Sequence, residues 1–93
     1  MERVWQALAG QLLHARAWDD EAVVYNDLTG DTHLLGAPAL HLLTTIGHAR
    51  ATDAELAAAL LDGFEFGPEH NLAAERDALL DELARLHLIE RAA

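Results

Sequence analysis

The tightest local constraint in this chain lies between Ala22 and Leu35. Ala22-Val23-Val24-Tyr25-Asn26 is rich in the β-branched and aromatic residues that suit a pleated, half-buried surface. Asp27-Leu28-Thr29-Gly30 then reads as a turn, because aspartate bonds locally to the main chain and glycine supplies positive φ without strain. Asp31 to Leu35 (DTHLL) returns as a short strand, so the two runs make a hairpin. Leu12 to Trp18 (LLHARAW) reads as an earlier strand, joined through the polar turn Asp19-Asp20-Glu21. Side chains alternate between the faces of a strand, so His33 and Leu34 face opposite ways; which of them meets the helices is left open. Trp18 and Tyr25 are expected to anchor the packing of this sheet.

After Gly36 the period changes from two to that of a helix. Pro38 suits a first helical turn, where its missing N–H has no intrahelical partner. Leu42, Leu43 and Ile46 recur at helical spacing, and Gly47 is the expected stop. Thr52-Asp53-Ala54-Glu55 has the form of a capping box, in which threonine and glutamate each satisfy a free backbone N–H. Leu56, Leu60 and Leu61 supply the apolar side of that second helix, which Gly63 ends. Phe64 to Pro68 forms a loop pinned by a phenylalanine. A third helix runs from about Glu69 to His87, with Leu72, Leu79, Leu80, Leu83 and Leu86 as its stripe. Asp81 and Arg85 stand one turn apart in the favourable order, whereas Asp77 and Asp81 are like charges at the same spacing. Leu88-Ile89 closes the chain against the core. The expected class is α+β: a winged-helix-like, three-stranded antiparallel sheet followed by three helices. With three strands, Asp31 to Leu35 becomes a sheet edge, whose unpaired N–H and C=O groups another chain can complete.

Length and charge then bound the function. A chain of 93 residues is one domain's worth, and residues 1–93 are expected to form it alone. No apolar run approaches the roughly 20 residues of a membrane span, and Met1 to Trp5 lacks the layout of a secretory signal, so a cytoplasmic setting is expected. The net charge is -10, lysine is absent, and the arginines are dispersed. Such a surface repels nucleic acid, whose binding relies on Lys and Arg releasing counterions, and it disfavours anionic membranes. Partners with a basic or apolar contact surface fit better.

Catalytic chemistry has little to work with. The chain contains no serine or cysteine, no Gly-rich phosphate loop and no recognisable pair of carboxylates, so no enzyme activity and no cofactor are expected. The histidines at positions 14, 33, 41, 48, 70 and 87 lack the tight spacing of metal ligands and read as ordinary structural residues. The acidic run Asp19-Asp20-Glu21 reads as a solvated turn, with contact to a metal or partner as the alternative.

Trp18-Asp19-Asp20-Glu21-Ala22-Val23-Val24-Tyr25-Asn26, followed by Thr29-Gly30-Asp31-Thr32-His33-Leu34-Leu35, resembles the PqqD-like peptide chaperones, the recognition elements of ribosomally made, modified peptides. More narrowly it is similar to the branch found beside HPr-kinase-related proteins. The resemblance extends from about Leu12 to Ile89. It implies a domain that takes the leader of a precursor peptide as a further strand beside its third strand, packed against its third helix, and presents it to a modifying enzyme. Carried onto this chain, the implied peptide-binding positions are Asp31, Thr32, His33, Leu34 and Leu35, with Leu72, Glu75, Arg76, Leu79 and Leu83 on the helix. Relatives place Ser or Asn as the first helix cap where this chain has Gly36-Ala37, so a looser corner is expected there. The rival readings are a scaffold for the kinase-like neighbour and a winged-helix DNA-binding regulator. A homodimer through the exposed edge is a further expectation.

Overall fold

The computed structural model describes residues 2–65, 67 and 71–92. Its elements run β1 (Val4–Ala7), β2 (Leu13–Trp18), β3 (Glu21–Asn26), β4 (Thr32–Gly36), α1 (Ala37–His48), β5 (Ala51–Thr52), α2 (Asp53–Gly63), α3 (Leu72–Arg85) and β6 (Ile89–Arg91). The expected sheet is present, antiparallel, in the order β2-β3-β4. Three helices follow it, and the class is α+β and winged-helix-like.

Local chemistry explains the hairpin. The Asn26 side-chain carbonyl accepts from the Leu28 amide at 2.9 Å, so Asn26 rather than Asp27 folds the turn. Gly30 takes φ +81°, where a side chain would be strained. Buried Asn26 also donates through Nδ2 to Gln11 Oε1 at 3.0 Å, and Gln11 Nε2 donates to the Leu88 carbonyl at 2.9 Å. A polar relay thus joins the hairpin to the end of the core. The preceding turn is tighter than expected: Trp18 pairs with Glu21, leaving Asp19-Asp20 as the loop, with Asp19 at φ 53°.

The corner from β4 into α1 is fastened rather than loose. Gly36 provides no side-chain cap, but the Ala37 N–H donates to the Asp20 carbonyl at 2.8 Å, so the neighbouring turn satisfies it through the main chain. α1 continues through Gly47 to His48. The capping box at α2 is present, with Thr52 Oγ1 accepting from the Glu55 amide and Glu55 Oε1 accepting from the Thr52 amide. Asn71 caps α3 by accepting from the Ala74 amide. The expected start at Glu69 lies outside the described residues. α3 stops at Arg85, before His87, which adopts φ 60°. There the His87 and Leu88 amides donate to the Ala84 and Leu83 carbonyls, both at 3.0 Å. That is the pattern of a left-handed helix stop, with Leu83 and Leu88 both fully buried in the same apolar cluster. Arg85 pairs with Glu82 rather than Asp81, because the i,i+3 carboxylate is within reach.

Buried faces of all three helices join the inner face of the sheet in one core, with α1 lying directly against β3 and β4. Leu42 and Ile46 of α1, Leu56 and Leu60 of α2, and Leu80 and Leu83 of α3 form one cluster with Val24, Leu35, Leu88 and Ile89. Phe64 packs against this cluster and lies edge-on to His41, as expected of the loop. Trp18 and Tyr25 do not anchor the core. They stand 49% and 39% exposed, because the register puts both in phase with Glu21 on the outer face, opposite Ala22 and Val24. Trp5 is the buried tryptophan, 3% exposed.

Trp5 belongs to a second small sheet that the sequence did not announce, ordered β5-β1-β6. Its strands hold four, two and three residues, too short for a periodic signal. Asp53 locks it to the helices. Its carboxylate accepts from Trp5 Nε1 at 2.9 Å, from Arg3 Nε at 3.0 Å and from the Arg3 amide at 3.2 Å. Arg3 also pairs with Asp77, which takes a second hydrogen bond from Arg76, so the like-charge cost expected at Asp77 is offset by two guanidinium groups. Burial pushes the Asp53 carboxyl up, but the bonds from Trp5 and Arg3 and the attraction of Arg3 outweigh it and hold the group below its usual range. A lowered folded value means stability that is complete above the unfolded value, about 3.9, and is lost as pH falls through the folded one. Asp53→Asn is therefore expected to cost about 1–3 kcal/mol at neutral pH. It should also flatten the loss of stability on acidification, as measured by denaturant titration across that range.

Candidate functional site

β4 pairs with β3 alone, so its far edge has no strand partner among the described residues. Register fixes where its side chains go. Val24 and Ala22, both fully buried, stand opposite His33 and Leu35, whereas Val23 and Tyr25 stand opposite Leu34 and Thr32. His33 and Leu35 therefore face inward, which resolves the choice left open by the sequence. Leu34 projects from the outer face and is 65% exposed, and Thr32 is exposed beside it. Asp31 is not in the strand: it precedes it, exposed, with its carbonyl accepting from the Asn26 amide at 2.8 Å.

The expected residues of α3 fall into three groups. Leu83 is fully buried and shares the core with Leu35, while Leu72 and Leu79 are half-buried against that core. Glu75 is exposed. Arg76 is committed elsewhere: Nε donates to Asp77 at 3.0 Å and Nη1 to the Asp53 carbonyl at 3.2 Å, tying α3 to the start of α2. The structure thus unites Leu35, Leu72, Leu79 and Leu83 in one apolar body and directs Arg76 into the Arg3–Asp53 cluster.

His33 carries an unusual local feature. Its Nε2 is buried and has no hydrogen-bond partner, which stands out in a chain whose buried Asn26 is fully engaged. Leaving such an atom unpaired costs on the order of 1–3 kcal/mol. The other described histidines have plainer settings. His41 Nε2 lies 3.0 Å from the Ala59 carbonyl at the α1–α2 contact, and His14 sits on the outer face, its ring centroid 6.1 Å from that of Tyr25. Among the described residues no group of three or more His, Asp or Glu side chains is placed to hold a metal ion. Among the same residues no helix is long and apolar enough to cross a membrane.

Comparison with known proteins gives one informative likeness. The solved structure of TbiB1 in complex with the TbiA(beta) leader peptide matches with a TM-score of 0.66. The match covers 95% of this chain and 98% of that one at 19% identity. At that identity the likeness speaks for the fold alone, the winged-helix-like α+β arrangement described above. No family model and no curated protein matches the chain.

Because His33 faces inward with an unpaired nitrogen, His33→Leu should leave stability unchanged or raise it by about 1 kcal/mol. Leu35→Ala, two residues along the same face, should cost about 2–5 kcal/mol. Chemical denaturation of the two variants checks the assigned faces.

Proposed function

We propose that residues 1–93 form a single non-catalytic peptide chaperone, which binds the leader of a ribosomally synthesised precursor and presents it to a modifying enzyme. The leader adds as an antiparallel strand beside β4, with apolar side chains reaching the half-buried Leu72 and Leu79 of α3. The observation that carries this reading is the free β4 edge, with exposed Leu34 and the unpaired His33 nitrogen, on a fold like that of TbiB1, which was solved with a leader peptide. Each main-chain bond along such an edge contributes about 0.5–1.5 kcal/mol net, and ordering the peptide offsets much of that sum. Affinity therefore depends on apolar side chains entering between strand and helix. Leu35 and Leu83 form the floor beneath them.

Charge shapes the peptide. α3 carries Glu75, Asp77, Asp81 and Glu82 against Arg76 and Arg85, so basic flanks on the leader gain association rate. The same acidity opposes the DNA-binding reading: α2 has Asp53, Glu55 and Asp62 with no basic residue, where a reader of DNA needs a basic helix. The resemblance of the hairpin residues to the branch found beside HPr-kinase-related proteins supports such a partner for the chaperone, and the cytoplasm is the setting that goes with this reading. A scaffold for that partner is the second reading, favoured by Trp18, Tyr25 and Leu34 together on the outer face of the sheet. Self-pairing through β4 would use the same edge and give a homodimer.

Isothermal titration with the leader of a precursor encoded beside this chain separates these uses. Saturable binding at micromolar or tighter affinity is expected, falling at least tenfold in Leu34→Asp and in Leu79→Asp proteins that remain folded. A stable complex with the kinase-related neighbour and no leader binding would replace the chaperone reading with the scaffold.

A further inference from the structure

The sheet has a second free edge, and it differs in chemistry from the first. β2 pairs only with β3 among the described residues, and every residue from His14 to Trp18 is exposed. Beneath it, between the inner face of the sheet and α1, runs an apolar groove of about 250 Å³. Leu13, Ala15 and Val24 form its sheet wall, and Leu40, Leu43 and Gly47 its helix wall. The space is below the ~300–1,000 Å³ usual for small-molecule sites and suits a few aliphatic side chains.

β2 and α1, the two elements that flank this groove, run against the charge of the chain. Although the net charge is -10, no acidic residue occurs from Arg3 to Trp18 or from Thr32 to Thr52. Those two stretches supply β2 and α1 entirely, with Arg16 on the strand and Arg50 just past the helix. Among the described residues neither arginine side chain has a hydrogen bond or ion pair. His48 lines the groove and His14 stands on the strand, where its Nε2 comes within 3.8 Å of Asp27. The Asp19-Asp20 turn bounds the far end of β2.

We propose that the β2 edge and the groove beneath it are a second docking site, taking an extended segment of a partner protein in which apolar and acidic side chains alternate. The segment pairs with β2 through its main chain. The side chains on one face fill the space between Ala15 and Leu43, and the carboxylates on the other meet Arg16. A period of two in the segment matches the alternation of the edge it joins. A second copy of this chain is a poor occupant. Pairing two β2 strands about Ala15 would bring the two Arg16 side chains diagonally together on one face, where β2 carries no carboxylate to answer them, and like charges across strands are destabilising. The two edges of one sheet therefore select opposite partners, an acidic segment at β2 and a basic-flanked leader at β4. This site does not depend on the leader reading.

The test uses the full chain, isotope-labelled for amide NMR, and two synthetic seven-residue peptides that alternate valine with glutamate or valine with lysine. The glutamate peptide is expected to shift the amides of β2 and of Leu40 to His48 in a saturable way, and the lysine peptide to bind at least tenfold more weakly. Arg16→Glu should weaken the glutamate peptide at least tenfold. Gly47→Leu, whose Cβ meets nothing within 4 Å, should abolish binding by filling the groove while the amide spectrum stays that of a folded chain. Leu34→Asp, on the other edge, should leave it unchanged. Equal binding of both peptides, shifts confined to β4, no shift at β2, or concentration-dependent self-association through β2 would each overturn the proposal.

Discussion

The inner face of β3 is what the rest of the molecule is arranged around. Ala22, Val24 and Asn26 are all but completely buried there, packed under the helices or held by the relay through Gln11 to the Leu88 carbonyl. With β3 in the middle, β2 and β4 are edges by necessity, and the phase of the pleat decides what each edge shows. Leu35 goes to the core and Leu34 to solvent because Ala22 and Val23 already face those ways. Shifting the register by one residue would bury Thr32 and Leu34 and expel His33 and Leu35, so the same burial that stabilises the fold also sets the edge chemistry.

Much of this was legible in the sequence where the signal is local. The hairpin, the capping box of α2 and the leucine stripe of α3 each depend on residues a few positions apart, and they stand where the sequence puts them. Elements that depend on distant pairing were not legible. β1 meets β5 and β6 through pairs such as Gln6 with Glu90, whose side chains bond across 84 positions of chain. Strands so short carry no periodicity of their own. Asp53 illustrates the same limit: within its segment it is one residue of a capping box, yet the fold makes it the acceptor for Arg3 and Trp5.

The expected site was legible as a set of positions rather than as a surface. The sequence marked the third strand of the sheet as an edge, but Arg76, implied as a peptide-binding position, is drawn into the Asp53–Asp77 cluster. The two tryptophans show why residue type alone misleads. Trp18 is an apolar residue on a strand, and only its place opposite Glu21 reveals that it faces solvent. The groove under β2 had a signal of another kind, the absence of acidic residues from β2 and α1 in a strongly acidic chain. That pattern gains meaning only when the fold brings the two elements together.

The central functional claim is that β4 accepts a further strand, and main-chain protection tests it most directly. Amide hydrogen exchange would be followed residue by residue with and without the neighbouring leader peptide. The strand-addition account predicts that outward-directed amides of Thr32 to Gly36 become slow in the complex while those of β2 keep their free rates. Saturable leader binding that leaves every β4 amide as fast as in the free protein would contradict it.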